Sequence, residues 1–288
     1  MSSFNPLDDV GEEHGFADSD GVSIHYVARG RSGPLLVMIH GFPDFWFTWR
    51  HQMPALAADH RLIAMDLRGY NLSDRPRGAE NYDMPLLMRD VEAVVRHCGE
   101  QRAFIVGHDW GGAIGWALAT LRPDLVRGLV VLNLPHPLCL LRELATNPKQ
   151  QEASAYARAF QQQGAEHAVT KESLCAWITD VDARDRYLEA LDRSDLAAML
   201  HYYQRNFPQP PYRESAWPRE KVPVPVLMIH GLDDPFLLPG ALDGTWEWVQ
   251  EELTLITVPG AGHWVHHDAA DVVTKSIRDW LARRSAVS

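Results

Sequence analysis

The sequence predicts an α/β protein in which a mostly parallel sheet is flanked by helices and carries an inserted helical cap. Three observations lead to this fold class. Short apolar runs bounded by Gly, Pro or Asp recur along the chain, and segments with apolar residues at three- and four-residue intervals separate them. This alternation is interrupted once, by a helix-prone and aromatic stretch that contains no strand-like run.

The apolar runs predict strands that are buried on both faces, because they lack the alternation of a half-exposed strand. These runs are residues 35–40, 61–66, 103–108 and 129–133. The alternation resumes later, with strands expected at residues 224–230 and 253–258. Helices are predicted at residues 45–58, 85–97 and 112–121, with a further helical stretch before residue 253 and a last helix at 269–283. Strands that alternate with helices are expected to pair in parallel.

The interruption divides the chain into two predicted domains. Residues 1–135 and 221–288 form a core domain, and residues 136–220 form a helical cap (lid) over the sheet. A proline-rich exit, FPQPPY followed by WPREKVPVP, marks the return of the chain to the core.

Composition and charge exclude several classes of function. With 27 Lys and Arg against 38 Asp and Glu, the formal net charge is −11, so no nucleic-acid partner is expected. No apolar run approaches the ~20 residues of a membrane span, so no membrane partner is expected either. The N-terminal segment lacks the regions of a secretory signal, and the three cysteines are widely spaced. We therefore expect a cytoplasmic protein, as a monomer or a homodimer.

No cofactor and no metal are expected. The histidine-rich segment at residues 263–268 lacks the HExxH spacing of a zinc site. The glycines that open the 112–121 helix do not follow G-x-G-x-x-G. The acidic segment at residues 18–21 predicts a turn, because the later acidic ligands of a calcium loop are missing.

The strongest local signal is GHDWG at residues 107–111, which directly follows a predicted strand and precedes a predicted helix. This is the G-x-nucleophile-x-G pattern of a nucleophile elbow, with Asp109 where a serine usually stands. The small flanking residues permit a sharp turn, and a helix N-terminus favours an anion. Asp109 could instead serve only as the N-cap of the helix, and the glycines alone leave that alternative open.

Three further strand ends carry groups that could act with Asp109. HGFP at residues 40–43 follows the first buried strand, where backbone N–H groups can line an oxyanion hole. Asp233 and Asp234 follow the 224–230 strand, and His263 follows the last strand. Ligands of open α/β sheets bind at the carboxyl ends of the strands, so these groups are expected to converge there.

The order along the chain, nucleophile then acid then histidine, is typical of α/β-hydrolases. HGFPDFWFTWRHQMPAL, AMDLRGYNLSD, VGHDWGG and GHW resemble the soluble, bacterial-type epoxide hydrolases of the α/β-hydrolase fold, and the similarity runs through nearly the whole chain. The resemblance implies a cofactor-independent enzyme with Asp109 as nucleophile and His263 as base. It favours Asp234 over Asp233 as the acid, three residues after Gly231.

The resemblance also implies two cap tyrosines. Tyr156 in YARAFQ matches one of them, and in HYYQRNF the spacing favours Tyr203 over Tyr202 as the other. A carboxylate can open a strained ether and form an ester with the enzyme. The departing alkoxide is a strong base, and a phenol with a pKa of ~10 can protonate it. An isolated tyrosine would more often be a packing residue.

In the second half of the implied reaction, His263 activates a water molecule that hydrolyses the ester on Asp109. The N–H groups of Phe42 and Trp110 would hold the oxyanion, and the product would be a vicinal diol. The aromatic residues of the first strand end suggest a small apolar epoxide as substrate. The residues expected to contact the substrate are His40, Phe42, Pro43, Trp110, Tyr156 and Tyr203.

Other functions remain as alternatives. Haloalkane dehalogenases resemble this chain in using an Asp followed by Trp, but they usually carry Asn where this chain has Phe42. Fluoroacetate dehalogenases place arginines near the nucleophile, where this chain has Trp110 and Ala113. A carboxylesterase is disfavoured because the elbow lacks serine. A non-catalytic small-molecule binder would have no need of an aspartate nucleophile, an acid and a histidine.

Overall fold

A computed structural model describes residues 11–213 and 217–285 of the chain. Its centre is an eight-stranded sheet with the strand order β1-β2-β4-β3-β5-β6-β7-β8. The strands are β1 (Glu13–Ser19), β2 (Val22–Arg29), β3 (Leu35–Ile39), β4 (Arg61–Met65), β5 (Ala103–His108), β6 (Val126–Leu132), β7 (Val226–Gly231) and β8 (Leu253–Val258).

The sheet is parallel from β4 across to β8, which confirms the predicted fold class. Strands β3, β5 and β7 are buried along their whole length, as expected for strands covered by helices on both faces. Strands β1 and β2, which the apolar runs did not reveal, add an antiparallel hairpin at one edge. The predicted turn at residues 18–21 joins them, where Gly21 N–H donates to Asp18 Oδ1.

Helices surround the sheet and fill its connections. They are α1 (Met53–Leu56), α2 (Met84–His97), α3 (Trp110–Leu121), α4 (Pro137–Thr146), α5 (Pro148–Ala153), α6 (Ala155–Phe160), α7 (Lys171–Leu174), α8 (Val181–Arg193), α9 (Leu196–Asn206), α10 (Val265–Asp268) and α11 (Ala270–Ser285). Single 3₁₀ turns occupy Trp46–Trp49, Ala79–Tyr82, Ala165–Ala168, Pro239–Leu242 and Thr245–Glu247.

Two of the predicted helices are wrong. Residues 45–58 form a 3₁₀ turn and the short helix α1, because a continuous helix would place Pro54 in its interior, whereas α1 takes it into the first turn. The stretch before residue 253 forms only 3₁₀ turns among its described residues, and Gly244 with φ +76° separates them. Both segments carry helix-like apolar spacing without the uninterrupted length that a helix requires.

The segment between β6 and β7 consists of helices α4 to α9 in its described part and lies against the core. Tyr202 Oη donates a hydrogen bond to the carbonyl of Arg68, at 2.9 Å, and Tyr187 Oη donates one to Asp44 Oδ1, at 3.0 Å. These two bonds attach α9 and α8 to loops that follow core strands. The division into a core domain and a cap at residues 136–220 stays a prediction.

The structure also bears on the expectations about membrane spans and cysteines. No helix in the described ranges is long and apolar enough to cross a membrane. Cys98, Cys139 and Cys175 are all free thiols. The expectation about a secretory signal concerns a segment whose residues 1–10 lie outside the described residues. Cytoplasmic localisation and the monomeric or homodimeric state stay predictions.

Candidate active site

Asp109 occupies the sharp turn between β5 and α3. Its backbone has φ +51° and ψ −119°, a conformation that few L-residues adopt. The turn requires glycine at both flanks, because a Cβ on Gly107 would lie 2.2 Å from the Gly111 carbonyl oxygen. One on Gly111 would lie 2.0 Å from the carbonyl oxygen of Ile39. The predicted elbow geometry is therefore present, with the aspartate at its apex.

The carboxylate of Asp109 is fixed through one of its own two oxygen atoms. It accepts at Oδ1 a hydrogen bond from Phe42 N–H at 2.8 Å, next to the cis Phe42–Pro43 peptide bond. Its Oδ2 lies 3.7 Å from His263 Nε2. Trp110 is the first residue of α3, so the positive end of the helix dipole also faces this carboxylate. The side chain is buried, yet it lines two cavities.

His263 and Asp234 form a buried pair next to Asp109. His263 Nδ1 lies 2.9 Å from Asp234 Oδ2. Asp234 Oδ1 accepts the N–H groups of Phe236 and Leu237, at 2.8 and 3.0 Å. Asp233 is exposed, so the structure brings Asp234 and not its neighbour to the histidine.

The pKa values of this pair are displaced in opposite directions. Burial by itself would raise the pKa of Asp234, but the charge of His263 and hydrogen bonds from His263 and Asn133 outweigh it and lower the pKa to about 2. Burial would lower the pKa of His263, but Asp234 and then Asp109 outweigh it and raise the pKa to about 9. At neutral pH the site therefore holds an imidazolium between two carboxylates.

The two expected cap tyrosines lie together opposite Asp109. Tyr156 on α6 and Tyr203 on α9 have ring centroids 5.9 Å apart, and both line the same two cavities as Asp109. Tyr202 uses its hydroxyl on the Arg68 carbonyl and lines neither cavity. Burial, followed by Asp109 for Tyr156 and by Tyr156 itself for Tyr203, raises the pKa of both phenols well above the usual value. Both hydroxyls are therefore protonated donors.

Two cavities meet at Asp109 and the tyrosine pair. The larger, of about 330 Å³, contains His263 and the smaller, of about 90 Å³, contains Trp110. Apolar side chains dominate both. Those of the larger cavity include Phe42, Pro43, Phe160, Leu174, Trp177, Phe236 and Trp264. Those of the smaller one include Met84, Ala113, Leu134, Leu140, Phe207 and Leu237.

One residue expected to contact the substrate does not reach these cavities. His40 is fully buried and lines neither of them. Its Nε2 accepts the N–H of Leu67 at 3.0 Å, so Nδ1 carries the proton and donates to the Gly41 carbonyl at 2.8 Å. The ring braces the turn that carries Phe42, and backbone groups occupy both its nitrogens.

Three polar residues that no sequence pattern revealed also shape the site. Asn133, with φ +45°, follows β6 and donates through Nδ2 to Asp234 Oδ2 at 2.8 Å and to the Gly262 carbonyl at 3.1 Å. Asp44 and His108 lie behind His263, and His108 Nε2 is 2.9 Å from the His263 carbonyl oxygen. The clearest available signal for Asn133 was an asparagine directly after a buried strand, a residue type that tolerates positive φ.

Comparisons with known proteins identify the family of this chain. The sequence pattern of the alpha/beta hydrolase fold matches residues 34–270. Epoxide hydrolase 3 of Xenopus tropicalis is 32% identical over 285 residues, which are 93% of this chain and 78% of the relative. This chain belongs to the epoxide hydrolase family of α/β-hydrolases. The AB hydrolase superfamily protein YfhM of Bacillus subtilis is also 32% identical, over 92% of this chain and 96% of its own length.

Solved structures agree with this family assignment. The crystal structure of the Bacillus megaterium epoxide hydrolase in complex with an inhibitor is similar to this fold with a TM-score of 0.88 and 32% identity. The match covers 93% of this chain and all of the other. A mutant of that epoxide hydrolase, complexed with its naphthyloxy-propanediol product, gives a TM-score of 0.85 at 33% identity. The epoxide hydrolase family thus accounts for both the sequence and the fold of this chain.

Proposed function

We propose that this protein hydrolyses small apolar epoxides to vicinal diols through a covalent ester on Asp109. One observation carries the proposal: a carboxylate anchored through Oδ1 shares its cavities with two phenol hydroxyls, Tyr156 and Tyr203, and shares the larger one with His263. Nucleophile, acid and base thus surround one apolar space. A binding protein would have no use for all three.

In the proposed first step, Asp109 Oδ2 attacks one carbon of the epoxide. A bond forms between Oδ2 and that carbon, the carbon–oxygen bond of the ring breaks, and its electron pair stays on the ring oxygen. Tyr156 and Tyr203 donate hydrogen bonds to that oxygen and supply its proton, as general acids. Their raised pKa values keep the phenols protonated until the alkoxide, a stronger base, forms.

In the proposed second step, His263 removes a proton from water and the oxygen of that water attacks Cγ of Asp109. Negative charge develops on Oδ1, which already accepts Phe42 N–H, and Trp110 N–H is the second proposed donor. The bond between Cγ and the diol oxygen then breaks, and that oxygen takes the proton from His263. This leaves Asp109 as a carboxylic acid, which passes its proton to His263 and so restores the carboxylate and the resting imidazolium. The proton that the imidazolium lost after ester formation reprotonates the tyrosine phenolate, so one epoxide and one water give one diol with no net release of protons.

The electrostatics of the site favour this order of steps. Asp109 is among the groups that raise the pKa of His263. Ester formation neutralises Asp109, so the pKa of His263 falls once the ester exists. A neutral imidazole then becomes available when a general base is needed, while Asp234 continues to orient its ring.

Apolar epoxides fit the cavities better than charged substrates do. The walls are mainly aromatic and aliphatic, and the described residues that line the two cavities include neither Lys nor Arg. The related Bacillus megaterium enzyme has a naphthyloxy-propanediol as its product, an apolar aryl group on a diol. We therefore propose aryl and alkyl epoxides as the substrate class.

The test is an assay of the purified protein against aryl and alkyl epoxides and against chloro- and bromoalkanes, with diol and halide measured separately. Diol formation without halide release is expected. Asp109→Ala should abolish diol formation in a folded protein, and Asp233→Asn, a change at an exposed aspartate, should leave it intact. Halide release without diol would instead indicate a dehalogenase, and would remove the proposed role of the tyrosines.

A further inference from the structure

Three buried side chains converge behind His263 and have no part in the proposed reaction. They are Asp44, His108 and His266, and each is at most 1% exposed. One nitrogen or oxygen atom of each lies within 4.8 Å of the corresponding atoms of the other two. Asp44 follows the HGFP turn, His108 ends β5 and His266 lies in α10, so three separate segments supply the group.

Each histidine of this group directs its Nε2 to another part of the protein, and its Nδ1 makes no hydrogen bond to the described residues. The His263 carbonyl can only accept, so His108 Nε2 carries a proton and donates it at 2.9 Å. His266 Nε2 lies 2.8 Å from Thr48 Oγ1. The Nδ1 atoms of both rings are buried and have no hydrogen-bond partner among the described residues.

The carboxylate of Asp44 completes the group with a negative charge. Tyr187 Oη donates to its Oδ1, and His108 Nδ1 lies 3.6 Å from its Oδ2. A proton on His108 Nδ1 would pair that ring with Asp44 but would leave His266 Nδ1 unsatisfied. His266 Nδ1 is buried without a hydrogen-bond partner among the described residues, so with the ring proton on Nε2 it offers a lone pair.

We propose that Asp44, His108 and His266 bind a divalent first-row transition-metal ion of the zinc type. Two imidazole nitrogens and one carboxylate oxygen are a donor set that such ions prefer, whereas Mg²⁺ and Ca²⁺ prefer oxygen alone. The remaining nitrogen of each histidine already has an oriented partner, as metal-binding histidines usually do. Bonds of ~2.0–2.2 Å place ligand atoms roughly 3.3 Å apart, so modest side-chain rotation closes the site.

Occupation of this site would inhibit the enzyme, and this consequence rests on the proposed function. The ring of His108 lies 4.8 Å from that of His263, centroid to centroid, and holds the His263 carbonyl. Because closing the metal site requires rotation of His108, metal binding displaces the His263 carbonyl and with it the ring that faces Asp109 Oδ2 at 3.7 Å. Misplacement of the base should lower turnover at least about tenfold when the site is saturated with Zn²⁺.

The binding test uses Co²⁺ as a spectroscopic probe of the whole protein without substrate. Titration should produce the visible bands of low-coordinate Co²⁺ at one equivalent; Zn²⁺ should abolish them, and Mg²⁺ should leave them. His266→Asn and Asp44→Asn should lose the bands, with folding checked by circular dichroism. The control is His167→Asn, because His167 is exposed on the cap segment, 3.7 Å from Glu166, and represents adventitious surface binding.

Several results would overturn the metal proposal. They are absence of the bands in the wild type, their survival in folded His266→Asn and Asp44→Asn, and their loss in His167→Asn alone. X-ray absorption of the wild-type complex should show two imidazoles with oxygen, and another ligand set would contradict the assignment even if both variants misfold. Because Co²⁺ binding is measured without epoxide, its result stays valid even if the protein does not hydrolyse epoxides. Metal binding without loss of turnover would overturn only the inhibition.

Discussion

Replacing Asp234 with Asn tests how strongly one carboxylate controls His263. The pKa of His263 stands at about 9 against an ordinary 6.5, and burial opposes that rise, so the carboxylates supply at least the whole difference. A difference of 2.5 pKa units corresponds to about 3 kcal/mol in favour of the imidazolium. Asp234 is the foremost source of it and is in direct contact, at 2.9 Å.

The second step should therefore slow by roughly 100-fold or more in Asp234→Asn, since its transition state gains imidazolium character. Ring opening depends on Asp109 and the tyrosines and should change little. Rapid-mixing kinetics should then show a burst of one equivalent of epoxide consumed, followed by slow diol release. The matched control is Asp233→Asn. A steady-state rate within about threefold of wild type in Asp234→Asn, or an equal loss in Asp233→Asn, would refute this reasoning.

Three other predictions concern the tyrosines, the pH dependence and the elbow. Tyr203→Phe should slow ring opening by roughly 10²-fold or more in single-turnover assays, whereas Tyr202→Phe should lose stability instead, because the Tyr202 hydroxyl binds a backbone carbonyl. The raised pKa of His263 stabilises the fold fully below pH ~6.5, and this contribution of about 3 kcal/mol is lost as pH rises through about 9. The free energy of unfolding measured in urea should fall between pH 7 and pH 10 in wild type by that contribution, and His263→Gln should not show this fall. The same pH dependence in both proteins would contradict the prediction. Gly111→Ala should cost about 3 kcal/mol or more in thermal unfolding. Gly112→Ala should cost clearly less, because the atoms nearest to its Cβ would be side-chain carbons at 3.0 and 3.1 Å and a backbone oxygen at 3.5 Å; equal costs would contradict the geometry.

The parts of the fold that could be predicted are those whose physics is local. Strands β3 and β5 lie between helical layers, so nearly all of their residues are apolar and the run is visible in the sequence. Strand β1 lies at the sheet edge, alternates exposed with buried positions only over residues 16–19, and has no β-branched residue in its sequence EHGFADS. The spacing at residues 45–58 is helix-like, but Trp46 N–H is taken by Asp66 Oδ1, a long-range contact invisible to periodicity.

The residues of the candidate site also differ in whether a local sequence pattern reveals them. Asp109 was identifiable because its turn demands glycines at fixed offsets, which a sequence displays directly. The choice of Tyr203 over Tyr202 followed from the spacing that the resemblance to epoxide hydrolases implies, and Tyr203 lies at the cavities. The role of Asn133 could not be predicted, because its hydrogen bond joins residues 101 positions apart in the sequence. The orientation of His40 could not be predicted either, because its ring bonds to backbone groups that only tertiary packing brings close.

The proposed covalent ester on Asp109 can be observed by intact-protein mass spectrometry of His263→Gln. After brief incubation with an aryl epoxide, we expect a mass increase equal to that of the epoxide, confined to the peptide that contains Asp109. The double variant Asp109→Ala, His263→Gln should show no increase. A folded His263→Gln variant that consumes epoxide without any adduct, or that carries the adduct on another residue, would show that Asp109 is not the nucleophile.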